Sequence, residues 1–357
     1  MEFEHRKRNE GSSLSMPKKY VICCSPDFGE GWKWFGATLT SDDISWIFIN
    51  DRESRSWRKV LPRPNLGTIY CGLQAALAAR RYKAALIVSH DARFTFWSGL
   101  FCRLLGVRSE HVAWSFNFPE LPRPLYRWIM GRGYKRVDRF IVHSTAEMEI
   151  YHRAFSIPKN KFDLKLWAID PPQMEEPDKT PFHEGNYVSA IGGNARDYAT
   201  LLAASRLLPE IPMVLVVRPE NLKGLNVPSH VTVYVDQPIQ TAMNILRHSH
   251  FTVVPLRDSE VPCGHVTMVA AMFLGRAMIV TDSSGVRDYV FPQENGLVYK
   301  SGDANDLAAC IRRLWNEKEL TKQLGHAGLT FAQKNLDLAK HQAEFELFLR
   351  KRGLAEG

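Results

Sequence analysis

At 357 residues, with 45% hydrophobic and 24% charged residues, the chain has the composition of a soluble globular protein of two domains, each large enough to need no covalent staple. Its six cysteines include no Cys-x-x-Cys pair, which excludes a zinc knuckle or disulfide framework and points to a reducing cytoplasm. No apolar run reaches the roughly 18 residues of a membrane span, and the opening residues lack the apolar centre of a signal peptide. The net charge of +8 is unevenly held: residues 1–170 carry 27 Lys/Arg against 17 Asp/Glu, and residues 171–357 carry 19 against 21. A basic first half suits nucleic acid, an anionic membrane surface or an acidic substrate, and equally plain solvated surface charge.

Residues 1–18 are polar and expected to be disordered. Short apolar runs then predict strands at 20–24, 46–50, 84–89, 112–115 and 140–143, with helices over 66–79 and 96–105 between them. Strands separated by helices of this length indicate a parallel sheet covered on both faces. The loop after the first strand, Ser25 to Gly31, holds Asp27, Gly29 and Gly31. It is a candidate acceptor-side loop, or a plain turn, because it lacks the full G-x-G-x-x-G pattern. After the third strand, His90 and Asp91 have the types of a base and its orienting group, and equally of a hydrogen-bonded turn.

From Phe116 to Arg136 aromatic and basic residues alternate. Three readings stay open: a lipid interface flanked by cations, a helix packing Tyr126, Ile129 and Met130 inward, or a single-strand platform. No nucleic-acid module is recognisable, so nucleic acid is not an expected partner. Prolines and charges over 171–185 mark the linker.

The second half repeats the scheme, with strands at 187–191, 213–217, 231–235, 251–255 and 277–281. Helices are expected at 198–208, 241–248, 266–274 and 305–316, with helical segments over 320–352. Two loops carry chemistry. The first, Gly192 to Tyr198, combines two glycines that admit a ligand to the backbone with Arg196, whose fork suits a phosphate. The plain alternative is a helix capped by Asn194 or Asp197 with an exposed arginine. The second, Arg257 to Cys263, leads into a helix starting at Gly264-His265, whose free amides and positive dipole end suit a diphosphate.

The stretch GHVTMVAAMFLGRAMIVTDSSGVRDYV, followed by NGLVYKSGDANDLAACIRRLW, resembles the C-terminal domain of retaining GT-B glycosyltransferases of the bacterial lipopolysaccharide and phosphatidylinositol group, known as glycosyltransferase group 1. The resemblance rests on Ala271-Met272, Gly275, Thr281-Asp282, Gly285, Asp288 to Val290, Asn295 to Val298 and Gly302-Asp303. It implies an α/β fold of the GT-B type, with two doubly wound, Rossmann-like domains facing a cleft. The corresponding division is a tail at 1–18, an acceptor-side domain at 19–170, the linker at 171–185, a nucleotide-sugar-binding domain at 186–330, and C-terminal helices at 331–357 returning to the first domain.

By the same resemblance, Cys263, Gly264, His265, Val266 and Thr267 hold the donor diphosphate through backbone amides, Gly193 lets it approach, Arg196 neutralises it as it leaves, and Val235 faces the base. The family places two glutamates, with seven residues between them, where this chain has Pro262 and Ala270. Glu260 is the candidate substitute for the first. The implied activity is a retaining, metal-independent hexosyltransferase without cofactor, moving a sugar from a nucleotide-diphosphate donor to a glycan or lipid-linked acceptor in bacterial cell-surface synthesis, with His90, Asp91 and Arg196 as the catalytic candidates. The expected location is the cytoplasm, peripheral to the inner face of the cell membrane. A nucleotide-sugar epimerase and a non-catalytic nucleotide-sugar-binding protein are the alternatives on the same fold.

Overall fold

The computed structural model describes residues 19–25, 44–50, 66–118, 120–172, 180–257 and 261–354. The expected tail at 1–18, the acceptor-side loop with Asp27, Gly29 and Gly31, the middle of the linker, and Glu260 lie outside the described residues.

Among the described residues the strands form two six-stranded sheets. The first is made of β1 (Lys19–Ser25), β2 (Ile44–Asn50), β3 (Leu86–His90), β4 (Glu110–Trp114), β5 (Arg139–Val142) and β6 (Phe162–Leu164) in the order β2-β1-β3-β4-β5-β6. The second is made of β7 (Val188–Ile191), β8 (Met213–Val217), β9 (Val231–Val235), β10 (Phe251–Val254), β11 (Met278–Thr281) and β12 (Leu297–Tyr299) in the order β12-β11-β10-β7-β8-β9. The pairs of the second sheet are parallel. Its inner strands are apolar on both faces; β8, Met-Val-Leu-Val-Val, is buried throughout. That is the pattern of a sheet covered by helices on both sides. The expected α/β architecture of two parallel sheets is therefore present.

The helices are α1 (Leu66–Arg81), α2 (Ala92–Leu104), α3 (Pro124–Tyr134), α4 (Thr145–Phe155), α5 (Tyr198–Arg206), α6 (Ile239–His248), α7 (His265–Phe273), α8 (Ala304–Asn316), α9 (Lys318–Asn335) and α10 (Leu338–Lys351). By compactness the chain falls into two units, residues 1–112 with 344–357 and residues 113–343. In the first unit, Cys71, Ala75, Ala76 and Ala79 of α1 join Ile22, Cys24 and Ile87 of the strands in one core. Arg352 closes the chain's end with a bidentate pair to Glu110, Nε and Nη2 each 2.7 Å from a carboxylate oxygen.

In the second unit an aromatic cluster holds α3 and α4. Phe116 meets Tyr134, Phe140 and Tyr151 edge-on, with centroids 5.0, 4.8 and 5.3 Å away. Edge-to-face pairs of this kind add to what burial alone contributes. Helix α7 is buried along nearly its whole length, because α9 crosses it closely. A methyl built on Gly325 of α9 would stand 2.3 Å from the Gly275 carbonyl oxygen just beyond α7. The C-terminal end of α7 is thus held close against α9.

Candidate functional site

Helix α7 begins where β10 ends. Gly264, at φ +94°, makes the turn into it, and among the described residues no side chain caps the helix. The first intrahelical bond runs from Met268 N to Gly264 O at 3.1 Å. Among the described residues no acceptor meets the amides of His265, Val266 and Thr267, so three donors stand without a described partner at the positive end of the helix dipole. Val266 is half exposed and Thr267 buried.

The loop after β7 lies against this start. Asp197 N donates to Pro255 O at 2.8 Å, Arg257 N donates to Ala195 O at 2.9 Å, and Arg196 bridges Leu256 in antiparallel fashion. Arg196 itself is buried, at 4% exposure. Its Nε donates to Ile191 O at 3.3 Å, Nη1 to Asn194 O at 2.9 Å and Nη2 to Thr267 Oγ1 at 2.9 Å. Every one of these acceptors is neutral, and burial pulls the guanidinium pKa down. A buried cation without a carboxylate is costly unless an anion joins it. Gly192 makes room: a methyl there would stand 2.7 Å from Arg196 Nη2. Of the two plain alternatives, Asp197 does cap α5, accepting from Thr200 N at 3.0 Å, but the arginine is not exposed. Nor is its fork held out to solvent for a phosphate, since its three nitrogens donate to the end of β7, the loop and α7.

Two carboxylates stand near the helix start, and sequence reasoning assigned neither of them a role. Asp288 accepts from Thr145 N at 2.7 Å and from Thr145 Oγ1 at 3.0 and 3.1 Å, capping the start of α4. Glu147 is 2% exposed and accepts from His143 N at 2.7 Å. Burial raises it to about 7, against the pull of that bond and of Ser144. Tyr289 bolts the same region, donating to His143 O and accepting from Trp167 N, both at 2.7 Å. The Asp288-Tyr289 pair of the sequence motif therefore fixes α4 and the backbone at Trp167 relative to α7. The His265 ring lies 4.8 Å from that of Tyr289. Burial lowers His265 to about 4 although the Gly285 carbonyl and Asp288 pull it up, so near neutral pH it adds no charge. Cys263 stays a thiol, raised by burial.

Residues 34–164 match the family model described as Glycosyltransferase Family 4, and residues 198–317 match that of Glycosyl transferases group 1. The chain therefore carries two glycosyltransferase domains, one of family 4 followed by one of group 1. No curated protein matches it in sequence. The GT-B fold is shared with Anabaena HepE, solved in complex with UDP, at 14% identity and TM-score 0.71 over 93% of this chain and 100% of that one. It is shared also with sucrose-phosphate synthase from Thermosynechococcus elongatus, at 15% identity and TM-score 0.72 over 94% and 98%. A glycosyltransferase from Rickettsia africae matches at 12% identity and TM-score 0.69 over 93% and 98%.

In this glycosyltransferase the residues expected at the donor are dispersed in part. Arg196, Cys263, Gly264, His265, Val266 and Thr267 converge on the start of α7, while Gly193 packs under Arg218 after β8. Val235 ends the edge strand β9 and is exposed. Its carbonyl accepts from Gln237 Nε2 at 3.1 Å. Pro262, where a glutamate was expected, packs on Gly285, whose added methyl would meet Pro262 Cβ at 2.2 Å. Ala270 is 1% exposed and part of the core with Val254 and Val280, so its position offers no contact to a ligand. His90 and Asp91 belong to the other unit. Asp91 caps α2, accepting from Arg93 N at 2.6 Å, which is the hydrogen-bonded turn of the plainer reading. Burial holds His90 at about 4.

Proposed function

We propose that this glycosyltransferase moves a hexose from a nucleotide-diphosphate-sugar donor to a glycan or lipid-linked acceptor of a bacterial cell surface. The observation that carries the reading is the start of α7, where, among the described residues, three amides without an acceptor lie beside a buried arginine with only neutral partners. An uncompensated cation and a helix end together call for a ligand of two or more negative charges, and the diphosphate of a nucleotide sugar supplies them. HepE was solved with UDP and with UDP-glucose, and the likeness of fold makes that ligand class the first to try.

In the proposed reaction these groups stabilise the departing nucleoside diphosphate as the glycosidic bond breaks. Charge then grows where donors already stand, and the reading needs neither cofactor nor metal. Retention of configuration is the outcome expected from the family resemblance. The membrane side of the proposal rests on α3, where Leu125, Tyr126 and Trp128 are more than half exposed.

The deciding experiment supplies a panel of nucleotide sugars with lipid-linked and glycan acceptors, with and without chelator, and follows transfer and the anomeric configuration of the product. Transfer unaffected by chelator and with retained configuration is expected. Donor binding without turnover on any acceptor would replace the transferase reading with that of a binding protein.

A further inference from the structure

Strand β8 lies beside β7, with Ile191 opposite Val216, and ends at Val217. The next residue, Arg218, is exposed. Its side chain crosses the loop after β7 at Gly193: a methyl built there would stand 2.6 Å from Arg218 Cδ and 2.8 Å from Cγ and Nε. Arg218 Nη1 donates to Asn194 Oδ1 at 2.8 Å. The backbone carbonyl of the same Asn194 accepts from Arg196 Nη1 at 2.9 Å. Asn221 fixes the base of the arginine, accepting from Arg218 N at 2.9 Å and donating through Nδ2 to Gly193 O at 2.8 Å. Two guanidiniums thus share one residue, and neither has a carboxylate partner among the described residues.

The two differ in what they have left to give. Arg196 is buried, with each nitrogen engaged. Arg218 is exposed, and among the described residues its Nε and Nη2 meet no acceptor. Side by side, two unneutralised cations repel, and a dianion relieves that repulsion. We propose that Arg218 is the residue that grips the donor diphosphate directly, while Arg196 is a positioning residue behind it that holds the loop to α7. Gly193 is glycine so that Arg218 can lie across it, and Asn194 aims the guanidinium. The assignment rests on the donor reading above and adds to it the group that makes the contact.

The test measures binding of UDP, GDP and ADP and of the matching monophosphates by calorimetry, with wild type, Arg218→Ala, Arg218→Lys and Gly193→Ala. The wild type is expected to prefer one diphosphate over its monophosphate. Arg218→Ala loses tenfold or more in affinity for that diphosphate and little for the monophosphate, and Arg218→Lys recovers part of the loss. Gly193→Ala, whose methyl displaces the arginine, matches Arg218→Ala. The thermal midpoints of the free proteins stay equal, which a merely structural role would not give. Undiminished diphosphate affinity in Arg218→Ala overturns the assignment and leaves the donor reading intact. A wild type that binds none of the nucleotides overturns both.

Discussion

Arg196 Nη2 donates to Thr267 Oγ1 at 2.9 Å, and both residues are buried, at 4% and 6% exposure. This bond joins the loop after β7 to the first turn of α7, two segments 71 residues apart. A charged donor makes it worth about 1.5–3 kcal/mol. It sets where the free amides point, so its loss is felt at the ligand. Arg196→Ala is expected to weaken nucleoside diphosphate binding at least about tenfold, roughly 1.4 kcal/mol, and Thr267→Val to weaken it less. Calorimetric titration reads both. Equal affinity in Arg196→Ala and wild type would remove this arginine from the donor site.

Gly264 turns the chain into α7 at φ +94°, and a methyl there would also meet Leu256 Cδ2 at 2.9 Å. Left-handed backbone costs a non-glycine residue about 1–2 kcal/mol, and the contact adds to it. Gly264→Ala should therefore lower stability by about 1–3 kcal/mol and, by shifting the first turn, weaken diphosphate binding. Urea denaturation and titration of the same sample check the two effects. A variant unchanged in both would show that this turn tolerates a side chain and does not set the amides.

How much of this was legible in the sequence follows from the range of each interaction. The buried strands of the second sheet announce themselves as apolar runs, and α7 by Gly264 before an unbroken helical stretch. The three-residue strands β6 and β12 are too short to show a period. Helix α3 carries Gly131 and Gly133, and α4 is polar on most of its surface. The start of α4 did offer a signal, since Ser144 and Glu147 have the spacing of a capping box. What the sequence could not show was burial. Arg196 reads as a phosphate fork because its acceptors, Ile191 O and Thr267 Oγ1, come together only in the folded chain. Arg218 reads as a loop charge before Pro219, because nothing local says that it will cross Gly193. Pro262 and Ala270 read as losses, yet one packs on Gly285 and the other belongs to the core.

Glu147 makes folding stability depend on pH. Its pKa rises by burial from 4.5 to about 7 in the folded chain, so the folded state holds the proton more tightly than the unfolded one. Its contribution is full below pH 4.5, declines between 4.5 and 7, and is gone above. The shift corresponds to about 3 kcal/mol. Glu147→Gln keeps a neutral acceptor for His143 N and cannot ionise. Relative to wild type it should therefore gain about 3 kcal/mol between pH 4 and pH 8. Urea denaturation of both proteins across that range measures the difference. Parallel profiles would mean that the carboxylate ionises in place without penalty.

Helix α3 presents two faces of different kinds. Met130, Gly131, Gly133 and Tyr134 are buried, and Gly131 lies so close to α4 that a methyl would stand 2.5 Å from Phe155 O. On the outer side Leu125, Tyr126, Trp128 and Ile129 are exposed, at 65, 60, 56 and 39%. Of the three residues that an inward-packed helix would bury, only Met130 is buried. The Arg132 guanidinium lies 3.4 Å from the Trp128 ring centroid, a cation at the edge of an aromatic patch. Among the described residues no helix is long and apolar enough to cross a membrane, so any attachment through this helix is to a surface. An apolar patch with cations on the same helix matches an interfacial helix on anionic lipid, where each cation near the surface contributes about 1 kcal/mol. Flotation with vesicles of phosphatidylcholine alone and with added phosphatidylglycerol should show binding only to the anionic ones. Neutralising Arg127, Arg132, Lys135 and Arg136 together should abolish it, as should Trp128→Ser with Leu125→Ser at unchanged charge. The second variant separates insertion from plain charge attraction: a protein that still floats with Ser at both positions is held by charge alone, and one indifferent to lipid composition does not use this helix.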